Sequence, residues 1–155
     1  MQVRELMTTP VITVTEDCPL EKAAEIMVTR RIGCLPIVNR SGEMTGIVTE
    51  SDFSATEKGI PFSLCRFPQV LGEWLPQVGV ERIYARARQT PVSEVMQHDV
   101  VTVDEGDTVE LVLEKMLHKH VHRVPVMRGK MPVGIVARRD LMRLMLDRMS
   151  SRTVS

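Results

Sequence analysis

The sequence of 155 residues lacks most of the signals that assign a chain to a chemical class. Its three cysteines, Cys18, Cys34 and Cys65, form no C-x-x-C pair, and their odd number excludes complete pairing in disulfides. This usage favours a reducing compartment. No apolar run approaches the roughly 20 residues that a membrane-spanning helix needs. These absences predict a cytoplasmic protein that does not interact with a membrane.

The sequence also lacks net charge, because 20 Lys and Arg residues balance 20 Asp and Glu residues. Without a general positive field, broad attraction to nucleic acid is not expected. Any recognition of a phosphate group must therefore come from a local arrangement of side chains.

Patterns typical of catalytic sites are missing as well. The sequence contains no Walker A loop and no G-x-S-x-G, H-E-x-x-H or G-x-G-x-x-G pattern. We therefore predict a binding protein, not an enzyme, with no catalytic residues and no required cofactor.

Aromatic residues are scarce, at 3% of the sequence, and they cluster. All of them lie at or within residues 54–91, namely Phe53, Phe62, Phe67, Trp74 and Tyr84. The clustering predicts a structured insert, with short helices at residues 71–75 and 80–88. We favour an insert that covers one edge of the molecule over an insert that docks a protein partner, and both interpretations stay open.

What the sequence does contain is an internal repeat. Residues 3–53 align with residues 92–141. The difference in residue number between aligned positions is constant up to a one-residue deletion in the second copy and is smaller by one after it. Matched positions include Glu5/Glu94, Met7/Met96, Thr13/Thr102, Pro36/Pro125 and Gly46/Gly134. We divide the chain into a first repeat, an insert, a second repeat and a frayed tail, at residues 1–53, 54–91, 92–149 and 150–155.

Each repeat predicts the element order β-α-β-β-α, an α/β (α+β) fold. A β-branched run forms the first strand, and an amphipathic helix follows. That helix begins at Pro19 in the first repeat and is capped by Asp107 in the second. Two further strands enclose a turn and precede a closing helix, which begins near Ser51 or Arg139. The predicted strands are residues 11–14, 35–38 and 46–48, then 100–103, 124–127 and 134–136.

An aspartate stands at the same strand-to-helix junction in both repeats. Gly-Ile-Val-Thr-Glu-Ser-Asp ends at Asp52, and Gly-Ile-Val-Ala-Arg-Arg-Asp ends at Asp140. The Asp52 carboxylate can accept hydrogen bonds from two adjacent ribose hydroxyls, with Thr49 Oγ1 directed at the ribose or phosphate. Alternatively, Thr49 caps the helix and Asp52 is its acidic partner, which needs no ligand.

The sequence resembles a tandem cystathionine-β-synthase (CBS) domain pair, or Bateman module. The resemblance rests on Leu-Pro-Ile-Val at residues 35–38 and His-Arg-Val-Pro-Val at residues 122–126, each before Gly-Ile-Val-x-x-x-Asp. It covers all but the insert and the tail. It implies two β-α-β-β-α units packed about a pseudo-twofold axis, acting as a regulatory sensor of an adenosine-containing ligand.

The resemblance also implies ligands and partners. AMP, ADP or ATP are expected ahead of S-adenosylmethionine or NAD, bound between the units, with a conformational change passed to a partner protein or dimer mate. A homodimer through the helices is implied, with Leu141, Leu144 and Met145 as interface candidates. Alternatively, these three residues close the core of their own unit.

Two clefts are implied by the same resemblance. The first would combine Ile47, Thr49, Asp52, Val101, His122, Arg123, Pro125 and Arg139. The second would combine Ile12, Gly33, Cys34, Pro36, Ala137 and Asp140. The second cleft lacks a threonine and a cation, and each charge-assisted hydrogen bond lost costs about 1.5 to 3 kcal/mol. We expect one phosphate-bearing nucleotide in the first cleft, with the second empty or holding something less charged.

Two further interpretations concern metal and partner binding. His118, His120 and His122 alternate as in some zinc sites. The repeat instead places them at the end of a helix. The residues aligned with them in the first repeat are Thr29, Arg31 and Gly33, which are not metal ligands, so we predict no metal site. The alternative class of function is a structural interaction module with vestigial clefts, whose aromatic insert docks a partner protein.

Overall fold

The structure is a computed structural model in which residues 1–54 and 88–152 are described. The predicted insert, including both of its short helices and the aromatic residues Phe62, Phe67, Trp74 and Tyr84, lies almost entirely outside the described residues. The chain forms two compact units. We call them the Asp52 unit, Ile12–Asp99, and the Asp140 unit, which joins Met1–Val11 to Val100–Ser155.

The Asp52 unit contains a three-stranded sheet in the order β1-β2-β3. Strands β1 and β2 are parallel because helix α1 connects them, whereas β2 and β3 form an antiparallel hairpin. The Asn39 side chain accepts hydrogen bonds from the Ser41 and Glu43 N–H groups at the hairpin turn, each at 3.0 Å. The elements are β1 Val14–Thr15, α1 Leu20–Arg30, β2 Cys34–Val38, β3 Met44–Thr49 and α2 Glu50–Ser54.

The Asp140 unit repeats this topology with the sheet order β4-β5-β6. Its elements are β4 Val103–Asp104, α3 Val109–Lys119, β5 Arg123–Arg128, β6 Met131–Ala137 and α4 Arg138–Arg152. The predicted element order β-α-β-β-α and the mixed α/β class are therefore confirmed. Among the described residues, no helix combines the length and apolarity needed to cross a membrane.

Each unit has its own apolar core between its sheet and its helices. In the Asp52 unit the core is built from Val14, Leu20, Ala23, Met27, Leu35, Ile37, Val48 and Val92. In the Asp140 unit it is built from Val3, Val103, Val109, Val112, Met116, Val124, Val126, Val136 and Leu141. The helical members recur at the 3.6-residue period that the sequence predicts for the buried face.

The start of the first repeat differs from the prediction. Its first strand, β1, is shorter than the predicted residues 11–14 and begins later, because only Val14 and Thr15 pair with β2. Pro19 lies outside helix α1 as its N-cap, in extended backbone conformation. Its φ is −64° and its ψ is 146°.

The cap of α3 was predicted at the wrong residue. Thr108, not Asp107, is the N-cap, and its Oγ1 accepts a hydrogen bond from the Leu111 N–H at 3.3 Å. The Asp107 carboxylate instead accepts from the Asp104 N–H at 2.8 Å, which closes the turn between β4 and the helix.

Helix α4 is longer than predicted. It runs to Arg152, so the first three residues of the predicted frayed tail are helical. The Ser151 hydroxyl donates to the Asp147 carbonyl at 2.9 Å, one helical turn earlier.

The compact units do not coincide with the sequence repeats, because the segment preceding each first strand packs against the other repeat. In the first arm, residues 1–11, the Val3 N–H donates to the Asp107 carbonyl at 2.8 Å. In the second arm, residues 90–99, the Val92 N–H donates to the Cys18 carbonyl at 2.8 Å. The two repeats have therefore exchanged their arms.

The repeated glycine of Gly-Ile-Val lies where an arm crosses its strand. A methyl group on Gly46 would lie 2.5 Å from Met96 Sδ and 2.9 Å from the Gln97 carbonyl oxygen. A methyl group on Gly134 would lie 2.6 Å from Met7 Sδ and 3.1 Å from the carbonyl oxygen of Thr8. Close approach of the arm thus explains why both glycine and methionine recur in the repeat.

Candidate functional site

The Asp52 junction is where strand β3 passes directly into helix α2. Asp52 is the third residue of the helix, and only 3% of its surface is exposed. Its Oδ2 accepts hydrogen bonds from the Thr49 N–H at 2.8 Å and from Thr49 Oγ1 at 3.2 Å. Of the capping arrangement expected as the alternative to a ligand, the structure shows the half in which the aspartate accepts the Thr49 N–H, whereas Thr49 Oγ1 donates to the carboxylate. This arrangement holds the carboxylate at the start of the helix.

Gln97, which the sequence did not indicate, completes this junction. Its Nε2 donates to Asp52 Oδ1 at 2.9 Å. The Gln97 backbone also pairs with Ile47 through two hydrogen bonds, of 2.9 and 3.0 Å. The signal that could have revealed it is the alignment, in which Gln97 replaces the shorter Thr8.

The Asp140 junction repeats the cap without these side chains. Asp140 Oδ2 accepts from the Ala137 N–H at 2.8 Å, and alanine offers no hydroxyl. Thr8 pairs with Ile135 through backbone hydrogen bonds of 2.8 and 3.2 Å. Within residues 1–54 and 88–152, the exposed Thr8 side chain makes no hydrogen bond to Asp140, which is half-buried.

The residues of each predicted cleft are divided between the two units. The Asp52 unit holds Ile47, Thr49 and Asp52 of the first cleft, with Ile12, Gly33, Cys34 and Pro36 of the second. The Asp140 unit holds Val101, His122, Arg123, Pro125 and Arg139 of the first cleft, with Ala137 and Asp140 of the second. The assembly of either cleft therefore stays a prediction.

Within the Asp52 unit, strand pairing brings most of its predicted site residues together. Cys34 lies opposite Thr49, and Pro36 lies opposite Ile47. The Glu50 N–H donates to the carbonyl of the buried Gly33 at 3.1 Å, which fixes the start of α2 against the loop before β2. In a separate place, Ile12 packs against the core.

Within the Asp140 unit, the matching strand pairs place Arg123 beside the junction. Arg123 lies opposite Ala137, and Pro125 lies opposite Ile135. The Arg138 N–H donates to the His122 carbonyl at 2.9 Å. The side chains of His122 and Arg139 are exposed and that of Arg123 is half-buried, whereas Val101 packs against the core.

The alternating histidines occupy three different backbone settings. His118 lies in the last turn of α3, with its Nε2 4.0 Å from Glu114 Oε1. His120 is the left-handed C-cap of that helix, with φ of 53°, and His122 follows in the loop. Among the described residues, no group of three or more His, Cys, Asp or Glu side chains is placed to hold a metal ion.

Comparison with known families finds the same repeat. The family model described as CBS domain matches this chain twice, at residues 3–56 and 92–147. The two matches include both junctions and most of both arms.

Solved structures share the fold over nearly the whole chain. The CBS domain of a CBS domain containing membrane protein from Sphaerobacter thermophilus is 38% identical and covers 93% of this chain and 87% of that chain, with a TM-score of 0.74. The CBS domain pair of protein MJ0100 was solved in complex with 5′-methylthioadenosine and S-adenosyl-L-methionine. It is 25% identical and covers 96% of this chain and 98% of that chain, with a TM-score of 0.70.

A longer relative contains the same region as part of its sequence. Uncharacterized protein MJ1404 of Methanocaldococcus jannaschii is 30% identical over 146 residues, which is 94% of this chain. This chain spans 32% of that protein's length.

Proposed function

The chain belongs to the CBS domain family and carries the domain twice, and from this premise we propose that it is a regulatory module that binds an adenosine-containing ligand. The observation that carries the proposal is the Asp52 junction, where a buried carboxylate is oriented by two partners. It is supported by the MJ0100 domain pair, whose two ligands both contain adenosine.

A ribose suits the chemistry of the Asp52 carboxylate. An ionised carboxylate only accepts hydrogen bonds, so ribose hydroxyls would bind Asp52 by sharing its oxygens with Thr49 and Gln97 or by replacing one of their bonds. The Thr49 N–H and the Gln97 amide hold the carboxylate in one orientation. An acceptor held in place loses less conformational freedom when a pair of hydroxyls binds.

The phosphate of a nucleotide would be recognised by hydrogen-bond donors of the Asp140 unit. His122, Arg123 and Arg139 are the members of the first predicted cleft with donors suited to phosphate. We propose that they bind the phosphate groups of AMP, ADP or ATP while Asp52 binds the ribose. The second cleft, with Ala137 and Cys34 at the matching positions, would bind a charged ligand more weakly.

Regulation would follow from a difference in affinity between two states of the protein. A ligand that binds one arrangement better than another shifts the population toward that arrangement by its differential affinity. The output would pass to a partner protein or to a second copy of the chain.

Thermal denaturation with a panel of ligands tests the proposed function. The panel is AMP, ADP, ATP, S-adenosylmethionine, 5′-methylthioadenosine and NAD. A ligand at a hundred times its dissociation constant should stabilise the protein by about 2.7 kcal/mol, which raises the melting temperature by several degrees. A panel without any shift would overturn the proposal and favour the structural interaction module.

Matched substitutions locate the site. Asp52→Asn keeps an acceptor for the helix cap but removes the charge, and we expect affinity for the bound ligand to fall roughly tenfold. Asp140→Asn makes the same change at the other junction and should leave affinity unchanged. Equal losses in both variants would contradict the assignment to the Asp52 junction.

We also propose that the protein forms a homodimer through helix α4. Of the three residues predicted at the interface, Leu141 lies in the core of its own unit and the half-buried Leu144 packs against that core. Met145 is 63% exposed, and Met142 and Leu146 on the same helix are 58% and 63% exposed. These three residues share one helical face, and a second copy would cover it with an identical face about a twofold axis.

Sedimentation of matched variants tests the dimer. Met145→Glu places a charge on the exposed face of α4 and should weaken association by roughly tenfold or more. Met131→Glu serves as the control, because Met131 is a 45% exposed residue of strand β6 instead. A monomeric parent protein, or a dimer that tolerates Met145→Glu, would refute the interface.

A further inference from the structure

We infer that Gln97 is a positioning residue, which orients Asp52 for the ribose and connects the bound ligand to the second arm. This inference rests on the proposed function, and it names a residue outside the two predicted clefts.

The first support is the burial of the group that Gln97 contacts. Asp52 is 3% exposed, and a carboxylate in such a position depends on donors from the protein to stay oriented. Gln97 Nε2 donates to Oδ1 at 2.9 Å, while the Thr49 N–H donates to Oδ2 at 2.8 Å. The two oxygens are therefore held by two different segments, the strand end and the arm.

The second support is the Asp140 junction, which shows what this fold needs without the glutamine. There the arm pairs with its strand through the same two backbone hydrogen bonds, and the aspartate caps its helix at the same 2.8 Å. The side chain of Thr8, at the position that matches Gln97, makes no hydrogen bond to Asp140. Neither the pairing of the arm nor the cap therefore requires Gln97, and its amide has a role beyond the common fold.

The third support is the place of Gln97 in the chain. It lies two residues before Asp99, where the chain leaves the Asp52 unit. Its backbone is bonded to Ile47 and its side chain to Asp52, so the arm and the junction move together. A ribose hydroxyl that donates to Asp52 alters the strength of the bond that Gln97 makes with the same carboxylate, and the arm responds to the ligand.

The test uses adenosine and 2′-deoxyadenosine, because adenosine is the portion common to the whole ligand panel. Calorimetry on the full chain compares the parent protein with Gln97→Met, which keeps the length of the side chain but cannot donate, and with Gln97→Thr, which copies the other repeat. We expect both variants to bind adenosine about tenfold more weakly and to lose most of the preference for adenosine over 2′-deoxyadenosine. Thr8→Val at the other junction should change neither value.

The ratio of the two affinities separates positioning from a structural role. If Gln97 only stabilised the fold, its loss would weaken both ligands equally and leave the ratio unchanged, which would overturn the inference while the proposed function survived. A parent protein that bound neither nucleoside but was stabilised by a member of the ligand panel would overturn the inference alone, and one that was also not stabilised by any member of the panel would overturn both. Hydrogen exchange adds a second readout: adenosine should alter exchange in residues 92–99 of the parent protein, and an equal change in Gln97→Met would refute the connection to the arm.

Discussion

The Asp52 and Asp140 junctions are built on the same backbone and differ in their side chains. In each, a glycine lets an arm cross the strand, the arm pairs through two backbone hydrogen bonds, and the aspartate accepts the N–H three residues earlier at 2.8 Å. At the first junction Thr49 and Gln97 add polar contacts to Asp52. At the second, Ala137 and Thr8 stand in their places.

The difference separates the part of the repeat that forms the fold from the part that orients the carboxylate of Asp52. The features common to both junctions form the strand-to-helix connection and need no ligand. The features confined to the first junction bury and orient one carboxylate. A repeat can therefore keep two copies of a fold while only one copy keeps a full set of polar contacts.

The largest effect that tests this comparison is the loss of each aspartate. We expect Asp52→Ala to lower the free energy of unfolding by about 3 kcal/mol, because the Thr49 N–H and the Gln97 amide lose a charged acceptor in a buried place. Asp140→Ala removes a cap from a half-buried position and should cost about 1 kcal/mol. Urea denaturation measures both.

A double variant shows how much of that difference belongs to Gln97. When Gln97→Met is already present, Asp52→Ala should cost about 1 to 2 kcal/mol less than it does in the parent protein, since one of the interactions is then missing. Equal costs of Asp52→Ala and Asp140→Ala in the parent protein would show that burial and the glutamine add nothing, and the comparison would fail.

The glycines test the part that the two junctions have in common. Gly46→Ala and Gly134→Ala should each cost about 2 kcal/mol, because the methionine of the arm can move but the carbonyl of the next residue cannot. Gly106→Ala is the control, since its methyl group would have no neighbour nearer than 3.4 Å. A cost at only one of the two junctions would show that their backbones are not equivalent.

Much of the fold could be predicted because the periodicity of apolar residues is visible within each short segment and because the repeat shows the same pattern twice. The alternation of apolar runs and amphipathic segments predicted the β-α-β-β-α order. The alignment matched Met7 with Met96 and Gly46 with Gly134, but only the structure shows that these residues are in contact. The first strands were placed too early, because a β-branched sequence does not specify which residues find a partner on the next strand.

The role of Gln97 could not be predicted, because it depends on the exchange of arms. In the sequence it is one polar residue after a methionine, and nothing local brings it to Asp52, 45 residues away. Similarly, the family resemblance grouped Leu141, Leu144 and Met145 as interface candidates, whereas the structure buries the first two at least in part and exposes Met145. The partition needed the tertiary structure, in which Leu141 turns inward and Met145 outward.

A smaller effect is expected from the threonine that only one junction has. Thr49 Oγ1 lies 2.8 Å from Ser51 Oγ and 3.2 Å from Asp52 Oδ2, so Thr49→Ala should cost about 1 kcal/mol. The reverse change, Ala137→Thr, should gain only about 0.5 kcal/mol, because Arg139 stands where Ser51 supplies a hydroxyl. If Ala137→Thr raised the free energy of unfolding by as much as Thr49→Ala lowered it, the Ser51 hydroxyl would make no contribution to stability.

The smallest expected effect extends the comparison of the units to their response to acid. In the Asp140 unit, the bidentate hydrogen bonds from Arg128, at 2.7 and 2.8 Å, lower the pKa of Glu105 from its ordinary value of 4.5. In the Asp52 unit, a 2.6 Å hydrogen bond from Thr15 Oγ1 lowers the pKa of Asp17 from 3.8. Both carboxylates therefore stabilise the folded protein above their ordinary pKa values, and this contribution is lost as the pH falls through the lowered ones.

Because the ordinary value is higher for Glu105, its contribution should begin to fall first on acidification. Arg128→Gln should reduce stability at neutral pH slightly and remove the part of the acid loss that begins near pH 4.5. Thr15→Val should instead remove the part of the loss of stability that begins near pH 3.8 as the pH falls. Urea midpoints measured along a pH series distinguish the two, and both effects are small because both hydrogen bonds are exposed to solvent. Identical pH profiles for the two variants would mean that neither hydrogen bond persists in solution.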